Sequence, residues 1–266
     1  MSKRKAVVRG SFYPDSKEEI VKFFDFFEKI LKDNSIKIEK LDTKSIISPH
    51  AGYIYSGFTA NIAYKSVKQK PKRVVVIGPS HRVFIDGASV ALYEDYETPF
   101  GDMDIDSEYS ERLLNRFGFL KFQPDAHEEH STETQAPFIK YYFPDSKIVE
   151  IVYGRVGFEE ISEVVDEVLK NDENLVVIST DLSHFYSLKE AEKLDSICLK
   201  AVENLDLELF EKGCEACGIT GVKAMVKSAI KDRLKPVLLD YRTSFDASGD
   251  DKRVVGYMSA LFRKKE

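Results

Sequence analysis

A run of four β-branched residues, Val74 to Ile77, predicts a strand that is buried on both faces of a sheet. Gly78 and Pro79 end this run, so His81 is expected in the loop just beyond the strand. A buried strand that leads directly to a histidine places a chemically active side chain at a defined edge of the sheet.

Two further apolar runs end in the same way. The run from Ser45 to Ser48 leads to His50, and the run from Leu175 to Ser179 leads to Asp181 and His184. In open α/β sheets, ligands bind at the carboxyl ends of the strands. Three of the five histidines in the chain are therefore predicted to meet in one site. The interpretation that this pattern favours is a metal site.

Helical patterns alternate with the predicted strands. Ser16 and Glu19 form a capping box in front of an apolar stripe that ends near Asp33, and further helices are expected at residues 58–67 and 128–143. Alternation of this kind predicts an α/β fold with a layered sheet and helices on both faces. With 266 residues, 43% of them hydrophobic, the chain can form one large domain, which we predict over residues 1–266.

The bulk composition limits the classes of partner. A net charge of −6 argues against a nucleic-acid-binding protein, and no apolar run approaches the ~18 residues of a membrane span. Three cysteines give no disulfide framework, so a reducing cytoplasm is expected. The many Lys and Glu residues, with no Trp, favour a thermophilic source. The expected partners are a small molecule or a peptide, together with further copies of the chain.

His50 and His81 are the first candidates for metal ligands. Neutral imidazole suits Fe, Cu, Zn and Ni, and two such ligands leave room for a third donor. The alternative for each residue is a histidine that is hydrogen-bonded within a loop. The repeated placement after a buried strand favours the metal site.

Three other polar residues are candidates for catalysis. Asp181 and His184 share a face if the chain turns helically after the strand, and Asp181 then orients a histidine or binds the metal itself. The alternative is an aspartate that caps a turn. His130, beside Glu128 and Glu129, suits a general acid or base, or else a surface helix cap. His127 is interpreted as part of a loop.

Cys217 precedes Gly218 and a predicted helix, a position that lowers the pKa of a thiol and favours a thiolate ligand or nucleophile. Cys214 and Cys217 also form a C-x-x-C pair, which alone is weak support for a separate zinc site. The alternative is that both are small buried residues, and Cys198 is interpreted as core. Motifs for serine hydrolases, Walker-type nucleotide binding and nicotinamide binding are absent from the sequence.

An ordered series of short motifs resembles the Memo family, also described as the B component of the AmmeMemoRadiSam group. The resemblance covers nearly the whole chain. Its motifs are Gly10-Ser-Phe-Tyr-Pro14, Pro49-His-Ala-Gly-Tyr53 with Tyr55-Ser-Gly57, Gly78-Pro-Ser-His81, Thr98-Pro-Phe-Gly101, Glu129-His-Ser131, Asp181-Leu-Ser-His184, Cys217-Gly218, Ser248-Gly-Asp250 and Val255-Gly-Tyr257.

The resemblance implies a fold similar to that of class III extradiol dioxygenases, which hold non-haem Fe(II) with two histidines and a carboxylate. By this likeness His50 and His81 are ligands, and Cys217 takes the place of the carboxylate as third donor. Asp181 and His184 then match pocket residues, and His130 matches an acid/base histidine. A thiolate donor changes the preferred metal, so the resemblance leaves ordinary ring cleavage open.

Two functions of different classes follow. The first is a cytoplasmic, metal-dependent oxidoreductase with Fe(II) or Cu on His50, His81 and Cys217, and with Asp181, His184 and His130 around an open position. The second is a binding module for a peptide, a small anion or a stored metal, without turnover, in which Tyr53 and Tyr55 recognise the ligand. A third hypothesis is hydrolysis with Zn, although the sequence lacks an H-E-x-x-H helix.

Overall fold

The computed structural model describes residues 2–265, in which twelve strands and nine α-helices follow one another, with the four strands between residues 73 and 104 in direct succession. The strands are β1 (Lys3–Arg4), β2 (Thr43–Ser48), β3 (Arg73–Pro79), β4 (Ala88–Val90), β5 (Asp95–Tyr96), β6 (Met103–Asp104), β7 (Leu120–Lys121), β8 (Lys147–Tyr153), β9 (Asn174–Ser179), β10 (His184–Tyr186), β11 (Lys235–Thr243) and β12 (Val254–Arg263).

The α-helices lie between these strands, together with two short 3-10 helices at Pro124–His127 and Leu209–Lys212. They are α1 (Lys17–Asp33), α2 (Tyr53–Ser66), α3 (Ser107–Arg116), α4 (His130–Glu133), α5 (Ala136–Tyr142), α6 (Phe158–Leu169), α7 (Leu188–Glu203), α8 (Ile219–Lys231) and α9 (Phe245–Ser248). None of the helices within residues 2–265 is both long and apolar enough to cross a bilayer.

The main sheet has the strand order β10-β12-β2-β9-β3-β8-β4-β7, with β11 paired to the other side of β12. Its centre is parallel, because β9 pairs in parallel with both β2 and β3, and β3 pairs in parallel with β8. A small second sheet joins β1, β5 and β6. The parallel centre brings the carboxyl ends of β2, β9 and β3 together at one edge of the main sheet.

Alternate residues of β3 enter two separate hydrophobic cores. Val75 and Ile77 pack in the core formed with α6 and α8, while Val74 and Val76 pack in the core formed with α1, α2 and α5. All four side chains are fully buried. The predicted layered α/β sheet with helices on both faces is therefore confirmed, and its central strand is the one that the apolar run indicated.

The helix expected at residues 128–143 is divided into α4 and α5. Proline has no N–H group, so Pro137 cannot donate to the carbonyl of Glu133 as a continuous helix would require. The chain instead turns at Thr134 and begins a new helix with Pro137 in its first turn. The helix expected at 58–67 begins earlier, at Tyr53. Both differences change the surroundings of the predicted site.

Cys198 and Cys214 form a disulfide that joins α7 to the segment before α8. The prediction of free, reduced cysteines was wrong for this pair, because the fold brings their Cα atoms to 4.9 Å, within bridging distance. Cys198 is nevertheless part of the core, as predicted. Since the sulfur of Cys214 is bonded to Cys198, the C-x-x-C reading of Cys214 and Cys217 as a metal pair is excluded.

Candidate metal site

Each of the three neighbouring parallel strands has a polar residue two positions beyond its end. His50 follows β2, His81 follows β3 and Asp181 follows β9. Because β9 lies between β2 and β3, these residues emerge side by side at the carboxyl edge of the sheet. The meeting of His50 and His81 was predicted, whereas the residue that β9 supplies at this edge is Asp181 and not the predicted third histidine, His184.

His50, His81 and His130 form the centre of the site. Each offers one ring nitrogen, and these nitrogens lie within 4.8 Å of one another. The ring centroids are separated by 5.3 Å for His50 and His81, 5.4 Å for His50 and His130, and 4.6 Å for His81 and His130. His50 is buried, whereas the side chain of His81 is 31% exposed and that of His130 is 17% exposed. His130 thus stands among the candidate ligands.

The hydrogen bonds around His50 determine its tautomer. The Ser179 hydroxyl donates its single proton to the carbonyl of Ser131 and accepts an N–H from Gln135. His50 Nδ1 lies 2.9 Å from the same Ser179 oxygen, so Nδ1 must be the donor. The lone pair of the neutral ring is therefore on Nε2, which is the nitrogen directed towards Cys217.

The charge state of His50 also suits metal binding. Burial lowers the pKa of His50 to about 4, against the attraction of the Asp181 carboxylate. The ring is consequently neutral above mildly acidic pH. A metal ion needs neutral imidazole, so at neutral pH it would not have to displace a proton from this nitrogen.

Cys217 approaches the site from the loop before α8. Its Sγ lies 3.3 Å from His50 Nε2 and accepts the N–H of Asp181 at 3.3 Å. Burial, with the nearby Asp181 carboxylate, raises the pKa of Cys217 to about 12. The predicted lowering of this pKa was wrong, because desolvation outweighs the N–H groups at the start of α8. Without a metal, Cys217 is a thiol that donates its proton to His50.

Asp181 and His184 have separate surroundings. Asp181 Oδ1 accepts the backbone N–H of His50 at 2.8 Å, and Oδ2 lies 3.9 Å from His50 Nε2. His184 begins β10, which pairs with β12, and its Nδ1 donates to the carbonyl of Leu182 at 2.8 Å. The two would share a face only if the chain turned helically after β9, and it continues into β10 instead. Within residues 2–265, the metal-binding group of three side chains does not include His184.

Tyr53 and Tyr55, predicted to recognise the ligand, point to different places. Tyr53 is 2% exposed, and its hydroxyl donates to the carbonyl of Thr134 in the core. It therefore packs beneath the site and cannot form the wall of a pocket. Tyr55 is 44% exposed and lines an apolar groove of about 910 Å³ between α1, α2 and α9.

Sequence reasoning missed two neighbours of the histidines. Phe12 packs against His130 with ring centroids 4.7 Å apart and the rings tilted by 39°. Glu129 bonds to both His81 and His130; burial alone would raise its pKa, but the hydrogen bonds from His130 and His81 hold it well below the usual range.

A buried ionic network lies beneath these residues and was also missed. His127, interpreted as part of a loop, is 2% exposed and donates from Nδ1 to Glu150 at 2.7 Å. Arg4 lies between Glu133 and Glu150. Glu150 could have indicated this network from the sequence, because a carboxylate in the middle of the apolar run Lys147–Tyr153 must have a buried partner.

The donor set suits a borderline or soft transition metal. Three equally spaced nitrogens bonded to one ion at about 2.1 Å are at most about 3.6 Å apart. The nitrogens of the three-histidine group lie within 4.8 Å of one another, so the rings must move closer together by roughly 1 Å to bind one ion. Imidazole nitrogens with a nearby thiol favour Fe, Cu, Zn or Ni over the oxygen-preferring Mg and Ca.

Gly218 fixes the position of Cys217 by close packing. A Cβ atom at Gly218 would lie 2.6 Å from the Ser179 carbonyl and 2.6 Å from Thr180 Cβ. Gly218→Ala should therefore move the Cys217 thiol away from His50, lower stability by about 1–3 kcal/mol, and speed labelling of the native protein by a thiol reagent. Gly118→Ala is the control, since a Cβ atom there meets nothing within 4 Å. Equal labelling rates in the two variants would contradict this packing argument.

Comparisons with known proteins agree on the family to which this chain is similar. The Memo-like protein family matches residues 4–261. A MEMO1 family protein of Aquifex aeolicus (strain VF5) is 37% identical over 273 residues, which cover 98% of this chain and 100% of the relative. A MEMO1 family protein of Methanobrevibacter smithii is 33% identical over 280 residues, with coverage of 98% and 99%.

A solved structure supports the fold independently. The crystal structure of an uncharacterized protein from Escherichia coli K12 superposes with a TM-score of 0.53 and 12% sequence identity, covering 82% of this chain and 99% of that chain. At this level of identity the likeness concerns the fold alone.

Proposed function

The chain belongs to the Memo family, and from this premise we propose that it is a metal-dependent oxidoreductase whose three-histidine site holds Fe(II) or Cu. The observation that carries the proposal is the convergence of His50, His81 and His130 within 4.8 Å. The partial exposure of His81 and His130 leaves a side on which a small molecule or peptide can reach the ion.

Each surrounding residue has a proposed part. His50, His81 and His130 bind the ion, and Cys217 becomes a further donor when it gives up its proton, which favours the softer copper ion. Asp181 holds the His50 backbone and supplies negative charge 3.9 Å from Nε2. His184 serves as an acid or base near the substrate, with its Nδ1 proton fixed by Leu182. When bound, the ion would supply redox chemistry.

The proposal extends to location and assembly. We place the protein in the cytoplasm. Disulfides such as Cys198–Cys214 are uncommon there except in hyperthermophiles, and the Lys- and Glu-rich composition of this chain agrees with a thermophilic source. Partners are a small-molecule or peptide substrate, with no nucleic acid and no membrane, and further copies of the chain. The proposed fold likeness to class III extradiol dioxygenases gives the reaction type to test first, oxygen-dependent oxidation.

The test of metal binding uses protein purified without oxygen. Iron and copper contents and affinities are measured for the unaltered chain, His81→Ala, and the neighbouring exposed control Arg82→Ala. His81→Ala should lose more than about a hundredfold in affinity, because loss of a group that merely supports a ligand already costs about 10–100-fold. Equal metal content in His81→Ala and Arg82→Ala would remove His81 from the site.

Turnover is tested separately from binding. Oxygen uptake by the metal-loaded protein is measured across a panel of catechols and thiols, with His184→Ala as the comparison. Uptake that His184→Ala abolishes supports the oxidoreductase and rules out a pure binding module. Full metal loading with no uptake on any substrate would instead favour the module that binds a peptide, a small anion or the metal itself. Exclusive loading with Zn would favour a hydrolase.

A further inference from the structure

The Glu129 side chain is fixed between two segments of the backbone. It is 1% exposed, and its Oε2 accepts the N–H of His81 at 2.6 Å. Its Oε1 accepts the N–H of Ser131 at 3.0 Å, which caps α4. Arg4 donates to the Glu129 carbonyl at 3.0 Å and anchors the backbone from below. The carboxylate therefore has a defined position before either histidine ring is considered.

Both exposed histidine rings contact the same carboxylate oxygen. Glu129 Oε1 lies 3.2 Å from His81 Nδ1 and 2.8 Å from His130 Nδ1. A carboxylate only accepts hydrogen bonds, so each Nδ1 must carry a proton and each neutral ring has its lone pair on Nε2. The two ring centroids are 4.6 Å apart, close enough for one oxygen to serve both rings.

We propose that Glu129 is a positioning residue that holds His81 and His130 in the Nδ1–H tautomer and directs both Nε2 atoms at one ion. The direction towards an ion rests on the proposed function, whereas the tautomers do not. His50 reaches the same tautomer through the Ser179 hydroxyl. Two separate groups thus orient the rings, the Ser179 hydroxyl for His50 and the Glu129 carboxylate for His81 and His130. The negative charge of Glu129 also makes the Nε2 atoms of these two rings stronger metal ligands.

The replacement Glu129→Gln separates positioning from folding. A glutamine has one accepting oxygen and one donating NH2 group, so it can no longer accept from both rings and both backbone N–H groups. Glu128→Gln is the matched control, because Glu128 is the adjacent residue and is exposed. Glu129→Gln should lower the affinity for a Co(II) probe about 10–100-fold and change its visible absorption spectrum, while Glu128→Gln leaves both unaltered.

The tautomers are measured by nitrogen-15 NMR of the imidazoles in the metal-free protein, at a pH where the rings are neutral. The unaltered chain should show Nδ1–H for His81 and His130, and Glu129→Gln should lose this form in at least one ring. An Nε2–H tautomer for either ring in the unaltered chain overturns the proposal, even if Glu129→Gln does not fold. So does a variant with native tautomers and native Co(II) affinity. Failure of the unaltered chain to bind any metal, with the tautomers as expected, refutes the metal site and leaves the role of Glu129 intact.

Discussion

Replacement of Glu133 by alanine should lower the free energy of unfolding by about 3–5 kcal/mol, because it leaves a buried cation without its partner. The side chains of Arg4 and Glu133 are 1% and 0% exposed, and they form an ion pair. An arginine stays charged at any pH at which the protein folds. Without Glu133, the ion pair left to Arg4 within residues 2–265 is the longer one to Glu150, at 3.5 Å.

The same carboxylate holds the chain that follows β1. It accepts the backbone N–H groups of Val7 and Val8 at 2.8–2.9 Å and the hydroxyl of Tyr13 at 2.8 Å. Alanine would leave all three donors without this acceptor. The Val8 N–H and the Tyr13 hydroxyl are buried, whereas Val7 is 38% exposed, and the loss of the two buried hydrogen bonds is part of the expected loss of about 3–5 kcal/mol. Loss of the acceptor should therefore loosen residues 7–13 even where the sheet remains folded.

Thermal and urea unfolding of Glu133→Ala measure this effect. A loss of about 3–5 kcal/mol corresponds to a fall in Tm of roughly 6–20 °C for a chain of this size. Asp33→Asn is the control, since its ion pair with Lys29 has side chains 58% and 69% exposed and contributes at most about 0.5 kcal/mol. A change below about 1 kcal/mol in Glu133→Ala would show that Arg4 finds another partner.

Glu150→Gln should make the protein less stable at pH 7 and its stability less sensitive to acid. Glu150 accepts hydrogen bonds from Thr132 at 2.6 Å, Tyr96 at 2.9 Å and His127 at 2.7 Å. Burial alone would raise its pKa, but Arg4 and His127 outweigh burial and lower the pKa from 4.5 to about 2. A carboxylate with a lowered pKa stabilises the folded state fully above pH 4.5, and this contribution is lost as the pH falls towards about 2.

The size of this contribution follows from the two pKa values. The difference between 4.5 and about 2 corresponds to roughly 3 kcal/mol. Urea unfolding at several pH values between 7 and 3 should show the unaltered chain losing stability faster than Glu150→Gln, so that the two curves converge in acid. Glu128→Gln, at an exposed position, should run parallel to the unaltered chain. Parallel curves for Glu150→Gln as well would mean that folding does not shift the pKa of Glu150.

The fold and part of the site could be predicted from the sequence, because local patterns determine both. Buried strands are continuous apolar runs, and the residues just beyond parallel strands meet at one edge whatever the details of packing. This reasoning brought His50, His81 and Asp181 together correctly. It also placed Cys217 near them, through the family resemblance.

The features that the sequence did not predict depend on packing between distant segments. The pKa of Cys217 is determined by burial against Asp181, and the bond of Cys198 to Cys214 depends on how α7 meets the following loop. The position of His184 depends on pairing with β12, and the burial of Tyr53 depends on where α2 begins. Single-domain organisation, substrate and metal identity stay predictions.

The order of the strands has a consequence for which side chains can serve at each position. Because β9 separates them, β2 and β3 are about 9–10 Å apart at the backbone. The rings of His50 and His81 nevertheless come within 5.3 Å, so each leans inward across the end of the middle strand. Only a long side chain can reach across the about 9–10 Å between β2 and β3. The short side chain of Asp181 is long enough at the end of β9, which lies between them. The separation of His50 and His81 is thus set by the hydrogen-bonded spacing of the sheet, whereas His130 on α4 and Cys217 before α8 reach the candidate site from outside the sheet.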